Sequence, residues 1–137
     1  MRFAIPCALA ALAACSKPQA AAPPVVAGIY AGGGRDALCV ADAADGSQAG
    51  FITYGPDNAN CSASGRLVAA GAAWQLVPAG EGECRIPVSF GDGTVTLGAQ
   101  SAACAYYCGP GASFAGKTFA TAQKPPAAVD LAGDPLC

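Results

Sequence analysis

Cysteine is the residue type through which this sequence is best equipped to do chemistry. The chain of 137 residues contains eight cysteines and no histidine. Without histidine it cannot form the Ser-His or Cys-His pairs that activate the nucleophile of many hydrolases. The cysteines are therefore left with disulfide formation, redox exchange, metal binding or covalent modification, and their spacing helps to decide among these.

Six cysteines in the second part of the chain fit a set of structural disulfides. They are Cys39, Cys61, Cys84, Cys104, Cys108 and Cys137. An even number in a small domain is typical of proteins that fold in an oxidising compartment. Thioredoxin-type dithiols are separated by two residues, whereas three residues separate Cys104 from Cys108. Zinc sites combine close-spaced cysteine pairs or histidines, so the sequence predicts disulfides and no metal site.

Sequence alone cannot choose among the possible pairings. Our working hypothesis pins the last residues of the sequence to the rest of the domain. Its pairs are Cys108–Cys137, Cys39–Cys61 and Cys84–Cys104.

The other candidate catalytic patterns are weak. Ser113 lies four residues before Lys117, not the three of Ser-x-x-Lys enzymes. Glu81 and Glu83 lie in a glycine-rich turn, where carboxylates are usually only solvated. Residues 111–118 formally match a phosphate-binding loop, but that loop requires a buried strand before it and a long helix after it. We therefore predict a protein that is not an enzyme and needs no cofactor.

The first residues are typical of a secretory signal. A basic start is followed by an apolar run over residues 3–12, too short to span a bilayer. The run ends in Leu12-Ala13-Ala14-Cys15, which resembles the lipobox of bacterial lipoproteins. The resemblance implies cleavage after residue 14 and lipidation of Cys15, with ordinary signal cleavage as the alternative.

Lipidation would make the membrane a partner of the protein. The residue after Cys15 is Ser16. In lipoproteins an aspartate at this position usually signals retention in the inner membrane, so the resemblance favours an outer-membrane lipoprotein of the cell envelope. Residues 15–27 are rich in alanine and proline and are expected to form a tether. Residues 28–137 are expected to form one small domain. Its scattered basic residues predict no nucleic-acid partner.

Short apolar runs separated by glycine-rich turns predict a mainly β domain. We expect about seven short strands, at residues 29–31, 36–41, 49–54, 66–70, 73–77, 84–90 and 94–97. Local connections between them favour a small antiparallel barrel or sandwich stapled by disulfides. A barrel is preferred because closure removes exposed edges. Residues after Lys124 are expected to form an extended tail.

A short helical turn is expected at residues 101–108. It would place Cys104 and Cys108 on one face, bonded to different partners. The turn also carries Tyr106 and Tyr107, which could anchor a protein partner or stack on a sugar if they are exposed. The alternative is that one tyrosine caps the core and the other is merely solvated.

One further resemblance indicates a binding target. Ser62-Ala63-Ser64-Gly65, with Trp74 downstream, resembles a segment of the membrane-bound inhibitors of c-type lysozyme, which are small β-barrel lipoproteins. The resemblance implies that a loop with Ser62 and Ser64 enters the lysozyme cleft. The chain departs from that family at Arg66 and after Trp74, and it has more cysteines.

Two functions therefore remain open. The first is an envelope-anchored binding or inhibitor module that acts through a loop on a stapled β domain. The second is a structural envelope lipoprotein without catalysis. A rigid, exposed loop with aromatic residues would favour the first, and a uniformly polar surface rich in alanine and glycine would favour the second.

Overall fold

A computed structural model describes Cys15 and residues 21–137. The predicted signal peptide, residues 1–14, and residues 16–20 of the predicted tether lie outside the described residues. Within the described part, no helix is long and apolar enough to cross a membrane.

The domain is a closed antiparallel barrel in which each strand pairs with its neighbours in sequence and the last strand pairs with the first. The strands are β1 (Gly28–Ala31), β2 (Ala37–Ala43), β3 (Gly46–Tyr54), β4 (Asn60–Ala70), β5 (Ala73–Pro78), β6 (Ile86–Gly91), β7 (Thr94–Leu97) and β8 (Thr118–Thr121). The prediction of a mainly β, disulfide-stapled domain with a short helical turn is confirmed. The count of seven strands is wrong, because an eighth strand closes the barrel.

Buried and exposed residues alternate along the strands, so that each strand turns one face to the barrel interior. In β6, for example, Ile86 and Val88 are buried while Pro87 and Ser89 are exposed, as expected for a strand with one face in the core. The interior is filled mainly by large apolar side chains, including Leu38, Phe51, Leu67, Leu76, Ile86, Val88, Val95, Leu97, Phe114 and Phe119. Thr53 is also buried there, and its hydroxyl has no hydrogen-bond partner.

The strand that the sequence did not predict is short and has little apolar content. Of the four residues of β8 only Phe119 is buried. Strand β8 pairs with β7, and its Ala120 and Thr121 pair with Ala31 and Tyr30 of β1. Strand β4 is also longer than predicted, because Cys61 and Ala63 continue the buried positions of Leu67 toward its start.

The connections make the two ends of the barrel different. The turn end carries the tight connections at residues 44–45, 71–72 and 92–93. The loop end carries the longer connections at residues 32–36, 55–59, 79–85 and 98–117. Binding residues in rigid scaffolds are concentrated on such loops, so the loop end is where a functional site is expected.

The chain enters the barrel across the turn end. The Trp74 indole donates a hydrogen bond of 2.7 Å to the carbonyl of Pro23, and the Tyr30 hydroxyl donates one of 2.7 Å to the carbonyl of Val26. Val25 packs against the core, and burial raises the pKa of Tyr30. Residues 23–26, which the sequence assigned to the tether, therefore contact the barrel.

Residues 128–137, which we call the strap, form a second layer over the outer face of β2 and β3. Leu136 is buried in a cluster with Ala37, Cys39 and Ile52. The sequence predicted an extended tail, but the strap is not extended throughout. It reverses direction, because Val129 and Pro135 form an antiparallel bridge. The Asp130 carboxylate stabilises this reversal by accepting hydrogen bonds from two backbone amides.

The disulfides are Cys39–Cys137, Cys61–Cys108 and Cys84–Cys104. Only the last of our hypothesised pairs is right, and the pairs Cys39–Cys61 and Cys108–Cys137 are wrong. Cys39 and Cys61 lie on opposite faces of the sheet. Cys39 pairs in register with Gly50 beneath the strap, whereas Cys61 pairs with Thr53 in the barrel interior. Each cysteine can reach only a partner on its own side.

Candidate functional site

The helical turn with the two tyrosines lies in the longest loop of the loop end. It is a 3-10 helix at Ala102–Tyr107, within the stretch predicted to be helical. Cys104 bonds to Cys84 and Cys108 to Cys61, so the expectation that the two cysteines bond to different partners is confirmed. The turn is thus covalently attached to β4 and to the segment before β6.

Gln100 fixes the remainder of this loop, a role that the sequence analysis missed. Its side-chain carbonyl accepts hydrogen bonds of 3.2 Å from the Ser113 hydroxyl and from the Phe114 amide. Phe114 is fully buried and packs edge to face on Phe51, with ring centroids 5.4 Å apart. No sequence signal distinguishes Gln100 from other polar loop residues, because its partners lie more than ten residues downstream.

Tyr106 and Tyr107 have different environments. Tyr106 is 89% exposed, whereas Tyr107 is partly buried and packs against the core. Their rings contact each other edge to face, with centroids 5.2 Å apart. The inner tyrosine therefore supports the outer one. The arrangement presents an aromatic ring to solvent on a turn held by two disulfides.

Neighbouring loops of the same end are ordered by polar contacts. The Arg35 guanidinium lies 3.9 Å from the centroid of the Tyr54 ring and donates a hydrogen bond of 2.9 Å to the Asn58 side chain. The buried Asp36 carboxylate accepts a hydrogen bond of 2.8 Å from the Tyr54 amide and lies 3.7 Å from the Lys117 ammonium. These side chains hold together the loops at residues 32–36, 55–59 and 98–117 of the loop end.

Ser62 and Ser64 do not lie on a loop. Both are in the first half of β4 and pair in register with Ile52 and Gly50 of β3. They point to the outer face, where Ser62 is half-buried and Ser64 is exposed. The projecting loop that the resemblance implied is therefore absent at these residues. Pairing with β3 holds both serines in the sheet, so they cannot enter a narrow cleft as a projecting loop does.

Ser64 instead lines a groove of about 490 Å³ on the outer face of the barrel. Gln48 and Arg66 lie beside it, and residues 77–80 and 135–137 form the two walls. Gly65 also lines this groove, and a Cβ at this position would overlap the carbonyl oxygen of Val77 and approach the Ala79 nitrogen to 2.9 Å. Glycine is thus required for strands β4 and β5 to pack this closely.

Cys15 is exposed and unpaired. Among the residues that the structure describes, no group of three Cys, Asp or Glu side chains is arranged to hold a metal ion. Two surfaces carry the residues that the sequence analysis singled out: the Tyr106 turn at the loop end and the Ser64 groove on the outer face.

Comparison with protein-family models, with curated proteins and with solved structures found no match to the chain.

Proposed function

We propose that this protein is an envelope-anchored lipoprotein that binds a protein partner through the loop end of its barrel, with Tyr106 as the central contact residue. The observation that carries the proposal is the 89% exposure of Tyr106 on a turn held by two disulfides. The proposal assigns no reaction to the chain.

Rigidity is the physical reason to favour binding. An exposed tyrosine can bury a large apolar ring and still hydrogen-bond through its hydroxyl, so tyrosine is common among residues that dominate protein interfaces. Ordering a flexible loop on binding opposes association. Here the disulfides, Gln100 and Phe114 have already ordered the loop before a partner arrives.

The position of the anchor supports the same surface. Cys15 precedes Pro23, which is attached to the turn end, by eight residues. At about 3.5 Å per extended residue, a lipid on Cys15 would hold the turn end within about 28 Å of the membrane. The loop end is at the other end of the barrel, so Tyr106 would face away from the membrane.

Inhibition of c-type lysozyme is a second candidate function, and the groove on the outer face favours it. Ser64, which the resemblance implies as a contact residue, is exposed beside Gln48 and Arg66. On this interpretation the outer face of β4 makes the contact. A structural role without a specific partner is the remaining alternative.

A lysozyme assay with two variants separates these functions. Full-length protein purified from a bacterial envelope is titrated against a c-type lysozyme in parallel with Tyr106→Ala and with Ser62→Ala/Ser64→Ala. Inhibition that only the serine variant loses supports the outer face and contradicts the Tyr106 surface for this target. Inhibition that only Tyr106→Ala loses supports the loop end. Absence of inhibition removes lysozyme as the target.

A further inference from the structure

The strap resembles a short peptide seated in a binding site. Leu136 is 5% exposed and contacts an apolar patch formed by Ala37, Cys39 and Ile52 on the outer face of β2 and β3. The hydrogen bonds that order the strap run between its own residues, such as the one from the Leu136 amide to the Ala128 carbonyl. Leucine packing and one disulfide therefore provide its attachment to the barrel.

Gly50 makes room for this peptide backbone. A Cβ on Gly50 would overlap the carbonyl oxygen of Leu136 and would lie 2.9 Å from the Leu136 Cβ. No residue with a side chain can occupy position 50 while the strap is in place. The barrel surface is thus shaped to fit a backbone that crosses β3.

The strap also divides a larger depression. The groove beside Ser64 is bounded by strap residues 135–137. A second groove of about 290 Å³ lies on the other side, between the strap and residues of β1 and β2. Pro135 and Cys137 line both grooves. Without the strap, the two grooves would join into one channel across the outer face of β1 to β4.

The disulfide that holds the strap is the most accessible of the three. Cys137 is exposed, whereas Cys108 is partly buried, Cys61 and Cys104 are fully buried and Cys84 is 2% exposed. Thiol–disulfide exchange requires access to a sulfur atom. Attack on the Cys137 Sγ is therefore easier than attack on most sulfurs of the other two bonds.

We propose that the outer face of β1 to β4 is a binding channel for a short, leucine-bearing peptide. The strap occupies this channel in the oxidised protein and vacates it when a dithiol reduces Cys39–Cys137. One thiolate of the dithiol attacks the Cys137 Sγ, and Cys39 leaves as a thiolate. The second thiol of the dithiol then releases Cys137 from the mixed disulfide. Two electrons and two protons pass from the dithiol to the cysteine pair. The ligand inserts an apolar side chain where Leu136 now packs.

Selective reduction is the first test. Full-length protein is titrated with dithiothreitol, thiols are trapped with a maleimide and labelled cysteines are mapped by mass spectrometry. We expect Cys39 and Cys137 to be labelled at a reductant concentration about tenfold below that required for Cys61, Cys84, Cys104 and Cys108. Amide hydrogen exchange in residues 128–137 should rise at the same step. Simultaneous reduction of all three bonds, or unchanged exchange in the strap, contradicts the proposal.

Peptide binding is the second test. A full-length variant with Cys39→Ser, Cys137→Ser and Leu136→Asp keeps two disulfides and weakens strap occupancy. A fluorescent peptide of residues 128–136 should bind it saturably, and the same peptide with Leu136→Asp should not. Adding Gly50→Ala to the variant should abolish binding, whereas Gly33→Ala, at a glycine with free space around it, should leave it unchanged. Failure of the leucine peptide to bind, or equal binding with Gly50→Ala, overturns the proposal.

Discussion

At the scale of single residues, the proposed functions depend on Tyr106 and on the two serines of β4. Tyr106 was a candidate from the sequence because an aromatic pair lies between two cysteines, and its exposure fits that hypothesis. Ser62 and Ser64 were assigned to a loop, but their alternation with the buried Cys61 and Ala63 places them in a strand. The alternation of buried and outward positions is present at residues 61–64, but small side chains such as alanine and serine make the apolar pattern weak.

Tyr106→Ala tests whether this residue contributes to the stability of the fold. The side chain is 89% exposed, and exposed substitutions usually change stability by less than about 0.5 kcal/mol. We expect an unchanged thermal midpoint for Tyr106→Ala. Phe114→Ala, which empties a fully buried position under the same loop, should destabilise the fold by about 3–5 kcal/mol. Comparable loss of stability in both variants would show that Tyr106 is structural.

Gly65→Ala tests the close approach between β4 and β5. Its Cβ would meet backbone atoms of residues 77–79, which cannot move aside as a side chain can. We expect a loss of about 1–3 kcal/mol, as for overpacking in a core. The matched control is Gly33→Ala, which has nothing within 4 Å and should be near neutral. Urea unfolding of both variants measures the difference, and equal stability would contradict the role given to Gly65.

At the scale of elements, the sequence pattern predicted the hairpins and favoured a closed barrel, but it did not predict the eighth strand that closes it. The turn at residues 92–93 and its flanking strands follow from alternation and an Asp-Gly pair. Strand β8 could not be predicted, because its position between β7 and β1 depends on partners distant in sequence. The disulfide pairing failed for a related reason: it depends on which face each cysteine occupies.

The Tyr106 turn depends on its disulfides for rigidity. Replacing Cys84 and Cys104 together by alanine removes one of its two attachments. We expect a loss of about 2–4 kcal/mol in stability and weaker binding of any partner that requires Tyr106. Hydrogen exchange should rise first in residues 98–117. Unchanged exchange there would mean that Gln100 and Phe114 hold the loop without the disulfide.

The segment before β1 is attached to the barrel in part through the side chain of Trp74. Trp74→Phe removes the indole hydrogen bond to Pro23 while keeping an aromatic ring in place. We expect a stability loss of about 1 kcal/mol and faster exchange of the amides at residues 25–27. Tyr30→Phe, which removes the neighbouring hydrogen bond to Val26, should act on the same amides. If neither variant changed stability or exchange, the two hydrogen bonds would not be what holds this segment on the barrel.

At the scale of the whole molecule, the barrel places the proposed anchor and the proposed binding surface at opposite ends. The segment that leads from Cys15 is attached at the turn end. The long loops and the exposed Tyr106 are at the loop end. The sequence predicted a small barrel but not this polarity, because the polarity arises from the alternation of short and long connections around a closed sheet.

The proposed arrangement requires lipidation of Cys15. In bacteria fed a labelled fatty acid, the wild-type protein should carry the label and enter the membrane fraction. Cys15→Ser should lose both properties. The domain of Cys15→Ser should keep its three disulfides, because the barrel and strap do not contain residue 15. Label on the Cys15→Ser protein would contradict the proposed anchor.

The most direct test of the central claim is site-specific cross-linking in the native envelope. A photoreactive amino acid is placed at residue 106 on the loop end and, in a second variant, at residue 45 on the turn end, and both are irradiated in intact cells. We predict one protein adduct of defined mass from position 106 and none from position 45. Adducts from position 45 alone, or none from position 106, would contradict a binding surface centred on Tyr106.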